Sequence, residues 1–193
     1  LFWFTRGQGR VTMSGTTRGY GAHTAVFLPA GCLHTLELGP QTQGLAVFFG
    51  RGSDVTVPKS PQLIRIREAS AQTEVLPLIE NIQREMHSPL PGADRATRHH
   101  IGLLGVWLER QMASAEIERP AAARRLAARY TMLLEQGFRS GKAVQDFAEN
   151  LGVTATHLTR ACRESCGLSA SDLLFERRHY EACRMLAHTR API

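Results

Sequence analysis

Cysteine is scarce in this 193-residue chain, confined to Cys32, Cys162, Cys166 and Cys183. No two are spaced as Cys-x-x-Cys, and the positions offer no disulfide framework, so a stapled secreted scaffold is excluded. No apolar run approaches the roughly 20 residues that a membrane-spanning helix needs. No stretch has the basic, apolar and small-residue order of a secretory leader. The His-Glu-x-x-His spacing of zinc proteases is missing, and His99-His100, at a helix start, reads as an exposed pair. No serine or cysteine has a plausible base beside it, and no glycine-rich loop leads into a helix to cradle phosphate. There is no internal repeat and no low-complexity tract. The chain opens on Leu1-Phe2-Trp3-Phe4 without an initiator methionine, so it is expected to be a piece of a longer protein.

Hydrophobic residues make up 43% of the chain, enough for packed cores and too many for global disorder. The net charge of +6 favours polyanionic partners. It is unevenly spread: from Pro120 onward 11 Lys/Arg stand against 7 Asp/Glu, whereas the first 119 residues hold 12 against 10. The basic excess per residue is therefore greater in the later, shorter part.

Residues 1–66 read as β structure. Short apolar runs at Leu1–Phe4, Ala25–Leu28 and Leu45–Phe49 alternate with glycine-rich turns at Arg6–Gly9 and Arg18–Gly21, and Pro58 and Pro61 mark the exit. Many short strands with regular turns predict a small barrel or sandwich. From Ala69 the apolar period changes to three or four residues. Val75, Leu76, Ile79, Ile82 and Met86 line one helix, which Ser88–Gly92 breaks. Ile101, Leu104, Trp107, Leu108 and Met112 form a stripe on a second helix, from about Asp94 to Ala115. Glu116–Pro120 reads as a linker, with Pro120 suited to the first turn of a third helix that carries Leu126, Tyr130, Leu133 and Leu134 and ends near Gly137. A last long helix is predicted from after Ser169 to about His188, striped by Leu173, Leu174, Arg177, Ala182 and Leu186.

Between these last two helices lies the most informative stretch, Val144 to Gly167. Phe147, Ala148 and Leu151 share one face of a short helix. Gly152 follows, where a left-handed turn costs little because glycine has no Cβ. Val153 can plug the space between helices, and Thr154 can cap the next one with its hydroxyl. On that helix Leu158 and Cys162 face inward, and Thr156, Thr159, Arg160 and Arg163 face outward. The pattern is that of a helix-turn-helix whose outer face suits a DNA major groove. Arg160 can pair bidentately with guanine O6 and N7, and Thr156 and Thr159 can meet a base edge or a thymine methyl. His157 and Arg163 suit phosphates, which position a reader without carrying sequence information. Cys162 and Cys166, one turn apart, invite a metal or redox reading. The better assignment is a small core position for Cys162 and a helix end for Cys166.

The segment from about Ala121 to Ile193 resembles the DNA-binding region of AraC/XylS-type transcription regulators. The family pattern is a helix-turn-helix, Leu-x-Arg on the reading helix, Gly-Leu-Ser-Pro, then a connecting helix with Arg-Leu-x-x-Ala-x-x-Leu-Leu. The matching residues are Leu158-Thr159-Arg160, Gly167-Leu168-Ser169-Ala170, and Arg178-His179-Tyr180-Glu181-Ala182-Cys183-Arg184-Met185-Leu186. The resemblance implies that Thr156, Thr159 and Arg160 occupy base-reading positions. The sequence departs from the family at Cys162, where Phe is usual, and at His179, where Leu is usual. Such regulators carry a second helix-turn-helix, and the chain stops at Ala191-Pro192-Ile193, so the DNA-binding region is expected to be truncated. One reader supplies fewer phosphate and base contacts than two and is expected to bind more weakly.

The amino-terminal part resembles the cupin-type sensor of the same family, through Phe27-Leu28-Pro29-Ala30-Gly31-Cys32-Leu33-His34. This implies an α+β protein: a cupin-like β-barrel effector domain over 1–66 (incomplete at its start), a helical dimerisation region over 67–119, and the reader over 120–193. Trp3, Phe27, His34 and Phe48 are candidates to wall an effector pocket, Trp3, Phe27 and Phe48 as barrel core. His34 is read as a pocket or structurally bonded residue, since only His23 and Glu37 lie near and a metal needs several converging ligands. No metal or cofactor is expected. The Ile101–Met112 stripe can pack on the barrel or pair with its twin, and the resemblance favours the twin, which also fits paired DNA half-sites. The expected protein is a cytoplasmic regulator, not an enzyme, with double-stranded DNA, a small-molecule effector and a second copy as partners, RNA polymerase if it activates, and no membrane. The rivals are a metal-dependent cupin enzyme with a helical accessory region and a regulator whose barrel binds another protein.

Overall fold

A computed structural model describes residues 1–50, 56–114 and 121–188. The strands are β1 Phe2–Arg6, β2 Gly9–Met13, β3 Thr16–Tyr20, β4 Thr24–Phe27, β5 His34–Leu38, β6 Gln43–Ala46 and β7 Gln62–Arg65. The helices are α1 Ala69–Met86, α2 Ala93–Ser114, α3 Ala122–Gly137, α4 Val144–Asn150, α5 Ala155–Cys166 and α6 Ala170–His188. The mixed strand-then-helix order agrees with the sequence reading. The expected linker at Glu116–Pro120 and the chain end at Ala191–Ile193 lie outside the described residues.

The strands form two open sheets, ordered β6-β1-β4-β7 and β3-β2-β5. The closed barrel expected for residues 1–66 is therefore corrected. Closure requires a continuous ladder around the ring, whereas β6 and β7 are the two edges of the first sheet. One predicted turn also moves. Arg18 and Gly19 lie inside β3, and the turn falls just beyond, at Ala22-His23, with His23 at φ 57°. A further reversal, between β2 and β3, lies at Ser14-Gly15, where both residues have positive φ (48° and 68°). Two consecutive positive φ values suit a two-residue hairpin loop, because that backbone twist matches the flanking strands.

Contacts divide the chain into two compact units. One comprises Leu1–Arg10, Gly19–Pro29 and the chain from Glu37 through α2; the other comprises Val11–Arg18, Ala30–Leu36 and α3–α6. In the first unit β1 pairs antiparallel with β4 and β6, and β4 with β7. Side chains alternate across a strand, so Trp3, Ala25, Phe27 and Ile64 join one core with Val75, Ile79 and Ile82 of α1 and Leu104, Trp107 and Leu108 of α2. The Trp3 and Trp107 rings meet edge to face at 6.0 Å, and Trp107 Nε1 donates to the Ala71 carbonyl at 3.1 Å. On α1 the buried positions are Ala71, Val75, Ile79 and Ile82. Leu76 and Met86, placed on that stripe by sequence, are exposed instead.

The α2 stripe is spent inside this core. Leu104, Trp107 and Leu108 are buried, and Ile101 and Met112 pack against the same cluster. Leu104, Trp107 and Leu108 are thus covered by the chain itself, which removes them as dimer contacts, whereas Ile101 and Met112 stay half-buried at the edge of the cluster. The sheet and α1 supply the apolar partner that the periodicity demanded.

In the second unit Leu126, Tyr130 and Leu134 of α3 pack with Phe147 of α4, Leu158 and Cys162 of α5, and Leu173 and Leu174 of α6. Gly15 approaches Ala127 so closely that a Cβ on it would lie 3.1 Å from the Ala127 Cβ, and Leu33 packs on the same cluster. These two residues explain why segments from the strand region cluster with the later helices. Among the described residues, no helix is long and apolar enough to cross a membrane.

Candidate nucleic-acid interface

The turn between α4 and α5 is built as its residues require. Asp146 accepts from the Ala143 N–H at 2.7 Å, satisfying an amide at the start of α4. Leu151 ends the helix on the core side, and Gly152 takes φ +71°, a left-handed value that glycine adopts without strain. Thr154 then caps α5: its Oγ1 accepts from the His157 N–H at 3.2 Å. The far end of α5 closes on Gly167 at φ +80°, whose N–H reaches the Arg163 carbonyl at 2.9 Å.

One side of α5 is locked. Leu158, Ala161 and Cys162 are buried among α3, α4 and α6 residues. Burial pushes the Cys162 thiol up to about 12 and also raises Cys166, so neither is a thiolate at neutral pH. Cys166 donates to the Cys162 carbonyl at 3.3 Å instead of meeting its sulfur. Among the described residues, no group of three His, Cys, Asp or Glu is placed to share a metal ion.

The other side of α5 faces water. Thr156, His157, Arg160 and Arg163 are exposed and Thr159 is half-buried. Thr156, Thr159, Arg160 and Arg163 converge on a shallow cleft of about 440 Å³, together with Val144, Ala155 and Ser171. His157 lies outside that lining. Arg160 and Arg163 are its only charged residues, so the cleft presents two guanidiniums and no carboxylate.

Sequence reading did not single out Ser171 or Val144 as part of this face. Ser171 lies in the first turn of α6, and that turn is anchored by a reciprocal cap. The Asp172 N–H donates to Ser169 Oγ at 3.1 Å, and the Ser169 N–H donates to the Asp172 carboxylate at 3.0 Å. The Ser169 hydroxyl, donating to the same carboxylate at 2.6 Å, and then the Ser169 N–H hold the Asp172 carboxyl below its usual range. The Ser-x-x-Asp spacing was a readable signal for this cap.

Farther along α6 the predicted apolar stripe fails. Leu173 and Leu174 are buried, but Ala182 and Leu186 are exposed. The buried position is Glu181, which takes hydrogen bonds from Arg139, Arg177 and Arg184. Arg177 also bonds Glu135 at 2.6 Å and lies 3.8 Å above the Phe138 ring. Arg178 donates to the carbonyls of Phe138 and Lys142, both at 2.9 Å. Tyr130 Oη, fully buried, donates to the Ala170 carbonyl at 2.7 Å. Charge and hydrogen bonding, more than apolar area, thus tie α6 to α3 and to the loop that follows it.

Of the effector-pocket candidates, Trp3, Phe27 and Phe48 belong to the first unit and His34 to the second. Trp3 and Phe27 fill the core of the first unit. Phe48, read as barrel core, is 85% exposed and meets the Phe2 ring edge-on at 6.4 Å, while its neighbours Val47 and Phe49 take the inward positions. His34 is exposed at the start of β5, and its Nδ1 lies 2.8 Å from the Cys32 carbonyl. It is a locally bonded histidine. No protein-family model, no curated protein and no solved structure matches this chain.

Proposed function

We propose that the chain is the sensor and reader portion of a sequence-specific transcription regulator of the AraC/XylS type. The observation that carries this reading is the α5 face. A short capped helix, held from behind by a packed core, presents two threonines and two arginines together on one side with no acid among them. A helix anchored in this way can enter a major groove without losing its register, and Arg with Thr is chemistry that reads base edges. Arg160 reads sequence with Thr156 and Thr159. Arg163 and His157 hold phosphate, and the Ser171 hydroxyl adds a phosphate donor from the start of α6. Double-stranded DNA is the partner, and the protein works in the cytoplasm, with RNA polymerase as a further partner if it activates. A homodimer reading paired half-sites belongs to the same reading, and its contact lies elsewhere than on Leu104, Trp107 and Leu108. Leu103 and Val106, on the exposed side of α2, are the apolar residues left for it.

Selection from a randomised duplex pool, followed by fluorescence anisotropy at several salt concentrations, tests this. A preferred sequence should emerge, and its affinity should fall steeply with salt. Arg160→Ala should weaken the preferred site by about tenfold and flatten discrimination at one base pair, whereas Arg163→Ala should weaken all sequences alike. Failure to enrich any sequence, with no binding at low ionic strength, would sink the proposal.

A further inference from the structure

The first unit holds a second basic cleft that the DNA reading does not use. It measures about 630 Å³ and is lined by Gln8, Gly9, Arg10, Gly19–Ala22, Thr24, Gly39, Pro40 and Arg65. Its construction follows from strand register. Phe4 pairs with Thr24, and Thr24 with Arg65. Alternation puts these three on the sheet face opposite the α1–α2 core, with the Tyr20 ring stacked on Phe4 at 3.9 Å.

Two features point to a ligand. Arg10 and Arg65 are the only charged lining residues, and neither has a hydrogen-bond or ion-pair partner among the described residues. Thr24, 1% exposed, accepts from the Gly21 N–H at 3.3 Å, and its own hydroxyl proton has no acceptor among the described residues. Four of the eleven lining residues are glycine, and two of these let the wall's own segments pack closely. A Cβ on Gly9 would collide with the Tyr20 hydroxyl and the Glu37 carbonyl, and one on Gly39 with the Gln8 carbonyl. Tyr20 in turn donates to the Glu37 carbonyl at 3.2 Å, which orders the wall.

We infer that this cleft binds a small oxyanion-bearing molecule, a carboxylate or a phosphate ester. Arg10 and Arg65 hold the anion, and the buried Thr24 hydroxyl donates to it. Two unpaired guanidiniums without a competing acid select negative charge, and planar oxyanions match their donor geometry. That the occupant acts as the effector rests on the regulator reading; the binding itself does not.

Isothermal titration calorimetry on the chain without DNA keeps the two apart. The probes are citrate, benzoate, benzamide, glucose 6-phosphate, glucose and inorganic phosphate. Saturable binding of at least one anionic probe is expected, with its neutral counterpart silent. The arms separate the sources, carboxylate in citrate and benzoate, phosphate in the ester and the inorganic ion. Arg10→Gln and Arg65→Gln, both at exposed positions, should each weaken binding by about tenfold, the usual loss for one charge-assisted bond. Circular dichroism of each variant checks that the fold is kept. Silence of every anion at millimolar concentration, equal binding of neutral analogues, or binding unchanged in both variants would overturn the inference, whatever the outcome with DNA.

Discussion

Helices α2 and α6 carry similar apolar periodicity and use it in opposite ways. On α2 the stripe meets a sheet and a second helix, and Leu104, Trp107 and Leu108 disappear into the core. On α6 burial stops at Leu174, apart from one position that holds an acid, Glu181, ringed by arginines. Periodicity reports that a face is apolar; it does not report whether an element lies opposite. Where one does, dispersion and water release hold the helix. Where the facing surface is the polar end of α3 and the loop after it, the same fold uses ion pairs and side-chain bonds to backbone carbonyls.

The largest effect should come from the α2 side. Trp107→Ala removes a buried indole, its edge contact to Trp3 and a hydrogen bond to Ala71, and should cost about 3–5 kcal/mol. The chain has two tryptophans, both in the first unit, so Trp3 fluorescence in urea reports that unit alone. A loss under about 1 kcal/mol would mean that α2 is not held by its stripe.

The α6 side should instead be sensitive to acid. Arg184, Arg139 and Arg177 hold the Glu181 carboxyl down to about 2, from an ordinary value of 4.5. A depressed folded-state pKa stabilises above the unfolded value, so this contribution is complete above about 4.5 and disappears as the pH falls toward 2. Urea midpoints read by circular dichroism should show that acid limb, and Glu181→Gln should flatten it. An unchanged limb in the variant would place the acid sensitivity elsewhere. Tyr130→Phe comes next. It deletes the buried bond to the Ala170 carbonyl and should cost about 1 kcal/mol, measured in the same way.

The same contrast explains how much could be read from the residues. Three features between α4 and α5 were legible because their signals are local: Gly152 for a left-handed turn, Thr154 for a cap, Leu158 and Cys162 for the inner face. The start of α6 after Ser169 was legible for the same reason. The barrel was not. Closure depends on which distant strands pair, and seven short strands do not encode their neighbours in composition. Phe48 looked like core because it is aromatic in an apolar run, but Val47 and Phe49 on either side of it take the inward positions. The Arg10–Arg65 cleft was illegible because its residues are far apart in sequence and meet through register. Glu181 was hidden because a buried acid looks like any surface charge until its arginines are placed.

Leu186→Gln gives the smallest expected effect and the sharpest test of the contrast. Leu186 belongs to the stripe that sequence assigns to α6, yet it is 65% exposed. If periodicity alone implied a core, truncating its apolar surface would cost what a buried leucine costs, about 2–5 kcal/mol. An exposed leucine loses little when made polar, so the change in unfolding free energy should stay within about 0.5 kcal/mol. Glutamine is also a good helix former, so backbone propensity does not confound the comparison. A cost in the buried range would mean that some part of the protein covers α6 in solution. The two helices would then differ only in how much of the partner surface the described residues include.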